Sequence, residues 1–295
     1  MQELVSEKTT DRRRLQIGEW LEKIGDPRPG IGVKDGIPDI VWLPVTPGGV
    51  VTIKRVWEPE TPEEESKVTN IQNLNVEPFY ISKFLVTYAQ YQAFVEAEDG
   101  FRNITWWQDM PPDYQRQKLS EQRTKLSNNP RDNISWYQSI AFARWMNHRL
   151  RGLELPVLPG KGVLRVGDNA QIRLPTEWEW QWAAQNGAEE RPYPWGERKL
   201  GFANTADTGL KQAIAVGMYP HGAAACGALD MTGNIMEWCA NDKKIIEIVD
   251  VGSNSSKVLR GGDWGYGIEI ASCTRSDDED PSRMDVLNGF RLVLR

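Results

Sequence analysis

The chain has 295 residues, 40% of them hydrophobic and 26% charged, with a formal charge of −6. A chain this long buries roughly three quarters of its unfolded surface and folds without staples, and its acidity argues against a nucleic-acid partner, which would call for a basic face. No apolar run reaches the roughly 20 residues that cross a bilayer, the start lacks the apolar stretch of a secretory leader, and three cysteines (Cys226, Cys239 and Cys273) cannot build a disulfide scaffold, so the expected setting is reducing and cytoplasmic, away from membranes.

In chain order, the first pattern is DRRRLQIGEWLEKIG, a short amphipathic helix with Ile17, Leu21 and Ile24 on one face, stopped by D-P-R-P-G. Residues 36–45 and 50–57 read as strands with a T-P-G-G turn between them, and the acidic, Pro-containing residues 58–67 as a solvated loop. Residues 79–86 alternate as a strand. Thr87 with Gln90 is a capping-box pair opening a helix whose Tyr91, Phe94 and Val95 face the core. Residues 101–134 have no period and read as a long surface excursion anchored by Trp106 and Trp107. Ser135 with Gln138 opens a second helix, with Trp136, Ile140 and Ala143 on its core stripe. Thr176 with Glu179 opens a third, closed by Asn186-Gly187. Beyond residue 187 only short apolar pieces remain between Gly, Asn and Asp. Helices early and short strands late predict an α+β class. The 13 Trp predict a core of aromatic plates, each buried indole needing a partner for its N–H.

Five strings then stand in order: RLPTEWEW (173–180), YPWG (193–196), GALDMTGNIMEW (227–238), VLRGGDW (258–264) and GFRL (289–292). Together they resemble the formylglycine-generating, sulfatase-modifying family. The resemblance implies a C-type-lectin-like fold, running from about residue 35 to 295. Residues 1–34 lie outside it and read as a helical lead-in or junction, which suggests fusion to a signalling or protease domain.

Members that make formylglycine hold copper with a cysteine pair just after the G-G string. Here residues 261–276 read GGDWGYGIEIASCTRS, with Gly265, Tyr266, Gly267 and Ile268 where the first cysteine is expected, and Asp263 in place of the usual Ser. A single thiolate makes no two-coordinate soft-metal site. Another branch of the family carries out iron-dependent sulfoxide chemistry with a His-x3-His-x-Glu set, and the two histidines, His148 and His221, are not so spaced. Nucleotide-loop and nucleophile-elbow patterns are absent. The expectation is therefore a non-catalytic recognition domain. An enzyme with altered metal chemistry, using Asp263, Glu269, Cys273 and Arg275, is the alternative.

The resemblance also implies structural calcium, held by hard oxygen donors. One set carries over to Asp230, Glu237 and the carbonyls of Gly233 and Ile235, and a second to Asn204, the Thr205 carbonyl and Asp207. Finally, residues 263–288 mix Tyr and aliphatic residues with many acids and have little period. This resembles the variable proteins of diversity-generating retroelements, whose C-terminal patch binds a ligand. The expected ligand is a protein or peptide, contacted by Asp263, Gly265, Tyr266, Gly267, Glu269, Ser272, Thr274, Asp277, Asp278, Arg283, Asp285, Val286 and Leu287. A rigid scaffold lets such side chains change without moving the backbone.

Overall fold

A computed structural model describes residues 2–57, 67–114, 118–243 and 249–295. Helix α1 (Asp11–Lys23) starts at Thr10, whose hydroxyl accepts the Arg13 N–H. It ends one residue before Ile24, which is therefore 73% exposed and not on the buried face that Ile17 and Gly18 form. Gly18 lies so close to the loop at 213–219 that a Cβ there would stand 2.7 Å from Ala215 Cβ. The buried Arg14 guanidinium reaches the carbonyls of Leu4 and Met218 at 2.9 and 2.7 Å. The lead-in is thus packed onto the rest of the chain through Ile214, Ala215, Met218 and Tyr219.

The apolar stretch at 36–45 forms two strands, not one. Hairpin β1 (Val33–Lys34) and β2 (Ile37–Pro38) is followed, after a break, by β3 (Trp42–Val45). At the break the Asp39 carboxylate accepts the Gly30 N–H and its carbonyl accepts the Gln90 side-chain amide, which diverts the backbone from a strand ladder. Strand β4 (Gly49–Trp57) pairs antiparallel with β5 (Lys67–Val76), a strand the residue pattern does not announce. Of the acidic loop expected at 58–67, residues 58–66 fall outside the described residues and Lys67 opens β5. Strand β6 covers only Phe79–Ser82, because Ser82 Oγ donates to the Phe84 carbonyl and turns the chain.

All three capping boxes form. They open α2 (Tyr88–Glu96) at Thr87, α3 (Trp136–Arg149) at Ser135, and α4 (Glu177–Ala184) at Thr176. Helix α3 is buried continuously from Trp136 to Ala143 rather than along one stripe, since it runs through the centre of the aromatic core. Residues 128–132 and Ile134, expected at the surface, are buried too, and Asn133 is half-buried. Arg131 N–H donates to the Val86 carbonyl and Tyr88 N–H to that of Asn129, which ties this polar stretch to the start of α2.

The remaining strands are β7 (Glu154–Pro156), β8 (Val163–Arg165), β9 (Ile172–Arg173), β10 (Met236–Asp242), β11 (Lys257–Arg260), β12 (Ser276–Glu279), β13 (Asn288–Gly289) and β14 (Val293–Leu294). Two four-stranded sheets result, in the orders β3-β6-β14-β9 and β12-β11-β10-β13. The indole plates behave as their chemistry requires. Trp106, Trp107, Trp136, Trp145, Trp180, Trp182 and Trp238 are buried, and each N–H finds an acceptor.

Candidate functional site

A lattice of ion pairs ties four of the five strings together. Arg291 of GFRL grips Glu237 of the MEW string through Nε and Nη2, at 2.6 and 2.7 Å, with both side chains 0% exposed. Trp180 of the EWEW string donates to the same carboxylate at 2.9 Å. Arg260 of the R-G-G string pairs with Glu177 at 2.8 Å, and Arg173 with Glu179 at 2.7 Å, where it holds the Glu179 carboxyl below the ordinary range against the opposing effect of burial. Two glycines let the backbone close on this lattice. A Cβ at Gly262, whose φ is +65°, would lie 2.6 Å from Ala271 Cβ, and one at Gly289 would lie 2.3 Å from Ile235 Cδ1.

The lattice supports the C-terminal face. Tyr266 is 53% exposed, and its carbonyl accepts the Ala206 N–H. Gly267 opens a 3-10 turn, Ile268–Ile270, pinned by Asp207, which accepts the Ile268 N–H, and by the Tyr193 hydroxyl, which donates to the Ile268 carbonyl. Glu269 on that turn pairs with Arg198. Gly265, Thr274, Asp277, Asp278 and Arg283 are also exposed, while Ser272, Asp285, Val286 and Leu287 are half-buried. Asp277 and Asp278 stand on β12, an edge strand paired only with β11. The N–H groups of Asp278 and Asp280 are taken by the side chains of Asp277 and Glu279.

Asp263 departs from the expected display. It is 1% exposed and sits beneath the Gly265–Tyr266 turn, where its Oδ1 accepts the Gly265 N–H at 2.6 Å. Desolvation lifts its carboxyl to about 6. The segment at 118–134 contributes residues the sequence reading left out. Arg123 lies over the Trp264 ring at 4.7 Å, and Asn133 N–H donates to the Asp285 carbonyl. The only signal in the sequence was the polar, turn-rich NNPRDN string, which does not say what it packs against.

The residues assigned to calcium have other work. Both Glu237 oxygens are engaged by Arg291, so this carboxylate is already neutralised and offers a cation no open lone-pair face. Asp230 Oδ2 accepts the Gly217 N–H at 2.6 Å, and burial pushes that carboxyl up to about 6. The carbonyls of Asn204 and Thr205 accept the N–H groups of Asn234 and Thr208, and Asp207 holds Thr205 and Ile268. Among the described residues no three His, Cys, Asp or Glu side chains converge on a metal-sized point. Neither calcium set, including Gly233 and Ile235, fits a calcium ion as arranged. Copper and iron fit no better. Cys273 is buried, with its thiol pushed up to about 12 by desolvation. His148 packs on Trp106, and His221 stacks on Phe202 with Nε2 2.8 Å from the Val5 carbonyl.

Residues 35–295 match the sulfatase-modifying factor enzyme 1-like domain. The chain belongs to that family. It is 27% identical over 256 residues to hercynine oxygenase of Mycolicibacterium thermoresistibile, covering 75% of this chain and 51% of the relative. It is 25% identical over 248 residues to the formylglycine-generating enzyme of Streptomyces coelicolor, covering 66% of this chain and 70% of the relative. The chain spans about half the length of the hercynine oxygenase it matches. Among solved structures, Treponema denticola variable protein 1 superposes with a TM-score of 0.56 at 18% identity, covering 87% of this chain and 95% of that one. The fold is therefore the C-type-lectin-like α+β fold of the family. The expectation that the chain is not an enzyme is corrected: relatives at 25–27% identity carry the names of enzymes. Loss of one cysteine pair does not take a chain out of such a family.

Proposed function

We propose that this domain recognises a protein or peptide ligand through its C-terminal face, built from residues 263–287 with Arg123 beside them. The observation that carries the reading is the division of labour in the structure. Arg173, Glu177, Glu179, Glu237, Arg260 and Arg291 of four strings are held in mutual ion pairs, while Tyr266, Glu269, Thr274, Asp277, Asp278 and Arg283 stand exposed on turns and an edge strand above that lattice. Large aromatic side chains on rigid turns give contact area at low entropy cost, and neighbouring Ser, Gly and Asp adapt their hydrogen bonds. A variable protein among the solved structures of the same fold supports this use of the scaffold by analogy. A second reading keeps the same face and makes the ligand a substrate of an oxidoreductase, as the names of the relatives suggest. No helix among the described residues is long and apolar enough to cross a membrane. With three unpaired cysteines, we place the protein in the cytoplasm.

The test is selection of peptides from a displayed library on the wild-type chain, followed by binding to a triple variant, Tyr266→Ala, Asp278→Ala and Arg283→Ala. A control variant changes Val50, exposed on β4. Ligands that lose at least tenfold affinity for the triple variant and keep it for the control support the reading. Ligands that bind all three proteins equally refute it.

A further inference from the structure

Apart from the C-terminal face, the chain holds a cavity of about 640 Å³ that the recognition reading leaves unused. Three turns build it. Residues 46–49 lead from β3 into β4, residues 186–189 follow the end of α4, and Ala225 and Cys226 sit at the tip of a turn closed by the Gly227 N–H on the Ala224 carbonyl at 2.8 Å. The described lining runs from Pro44 to Cys226 and takes nothing from 263–287. Trp182, buried on α4, lies at its floor. Glycines bring two of the turns against that indole. A Cβ at Gly49 would stand 2.5 Å from the ring Cη2, and one at Gly187, whose φ is +60°, would stand 3.0 Å from Cζ2. Among the described residues that line the cavity, Glu189 alone is charged at neutral pH, and Arg191 pairs with it at 2.7 Å. The Trp182 N–H is spent on the Pro47 carbonyl at 3.1 Å, and the Gly187 carbonyl on the Gln185 amide at 2.8 Å. Cys226 is half-buried, and burial raises its thiol, so a neutral S–H stands in the wall.

We propose that this cavity is a second binding site, taking a small neutral molecule built on aromatic rings, seated on Trp182 and against the Cys226 sulfur. It is independent of the recognition reading, and each can fail without the other. The volume suits such a ligand, since sites for small organic molecules occupy roughly 300–1,000 Å³ and are lined mainly by apolar groups with few polar ones. Charge then selects. An ionic ligand would give up water for a lining whose single carboxylate is already paired, so a neutral one loses least. An aromatic ring gains most from what remains, through offset or edge-on contact with the indole and through the polarizable sulfur at its edge. A peptide is the poorer occupant. Strand β3, the sheet edge that borders the cavity, contains Pro44, which has no N–H to give to an added strand. The Pro47 and Gly187 carbonyls are already engaged, so amide groups entering here would exchange water for few new partners.

The experiment is fluorescence titration of the full chain with N-phenyl-1-naphthylamine, a neutral ring compound, and with 1-anilinonaphthalene-8-sulfonate, the same ring framework carrying an anion. The neutral probe is expected to bind at one equivalent and at least tenfold more tightly than the sulfonate. Ala188→Trp and Ala225→Trp, at exposed positions on two of the turns, should each fill part of the space and cut that binding at least tenfold, with melting curves unchanged. Tyr266→Ala, on the C-terminal face, should leave it as it was. A second readout does not depend on the variants. Saturating neutral probe should slow labelling of Cys226 by N-ethylmaleimide at least fivefold, followed by mass spectrometry of the Cys226 peptide. Absence of stoichiometric binding, equal affinity for the two probes, full affinity in both Trp variants, or an unchanged rate of Cys226 labelling at saturation would each overturn the proposal. None of these outcomes bears on ligands of the C-terminal face, which the Tyr266, Asp278 and Arg283 variant tests separately.

Discussion

Glu237→Gln should be among the most damaging single-atom changes in this protein. The substitution keeps the shape of the side chain and removes its charge, leaving the Arg291 guanidinium, 0% exposed, without the carboxylate it pairs with. Arg291 would still hold the carbonyls of Ser82 and Leu229, at 3.2 and 2.9 Å, but these are neutral acceptors. Breaking one side of a buried pair costs about 3–5 kcal/mol. At about 2–4 °C per kcal/mol for a large single domain, the melting temperature should fall by about 6–20 °C. Thermal melts followed by tryptophan fluorescence measure it directly, since Trp180 donates to the same carboxylate. The double variant Glu237→Leu with Arg291→Met should recover much of the loss, because neither charge is then stranded. Wild-type melts with calcium and with chelator should coincide. A loss under about 1 kcal/mol, or a loss that appears only when calcium is present, would show that Glu237 serves a cation rather than Arg291.

Three further outcomes follow from the same geometry. Asp263 holds its proton more tightly folded, at about 6, than at the ordinary 3.8, so protonation stabilises the fold fully below about pH 4 and that contribution is lost as pH rises through about 6. Relative to Asp263→Asn, the wild type should lose up to about 3 kcal/mol between pH 4 and 7 in denaturant titrations, and parallel pH curves would count against a buried, uncompensated carboxylate. Gly289→Ala should cost about 1–3 kcal/mol in the same assay, because the added Cβ would lie 2.7 Å from the Arg131 carbonyl as well as on Ile235. In native protein a thiol reagent at pH 8 should reach Cys226, which is half-buried, and should reach Cys239 and Cys273 only after denaturant is added. Rapid labelling of all three would mean that the interior opens readily.

The parts of the structure legible in the sequence were those governed by local rules. Each capping box needs only two residues three apart, and all three formed where the spacing put them. The five strings carried the fold because their order is a one-dimensional record of one three-dimensional lattice. What the strings hid was the pairing within the lattice. Glu237 read as a calcium ligand because the family resemblance carried that role onto it, although Arg291 between Phe290 and Leu292 already gave notice that a buried guanidinium needed a carboxylate. Asp263 read as displayed because it opens the aperiodic stretch 263–288, but the turn at Gly265 folds back over it. The stretch 128–134 read as surface for its polarity. Its Asn and Arg side chains are buried because they bond to backbone groups of distant segments, such as Asn128 to the Gly18 carbonyl. Period and composition record nothing of such partners.

The placement of residues 288–294 has a consequence for how the protein comes into being. Strand β13 lies alongside β10, and β14 sits between β6 and β9, so one short segment belongs to both large sheets. It also delivers the guanidinium that neutralises Glu237. During synthesis these residues leave the ribosome after everything they join. Until then β6 and β9 have no common neighbour, the carboxylate at the centre of the molecule has no counter-charge in its pair, and the rings of Tyr91 and Phe142 lack the closing contact of Phe290. The nascent chain must therefore keep a large aromatic surface from sticking elsewhere while it waits for its final strand. That makes the interval before this segment emerges, rather than the finished fold, the moment at which the domain is most exposed to aggregation.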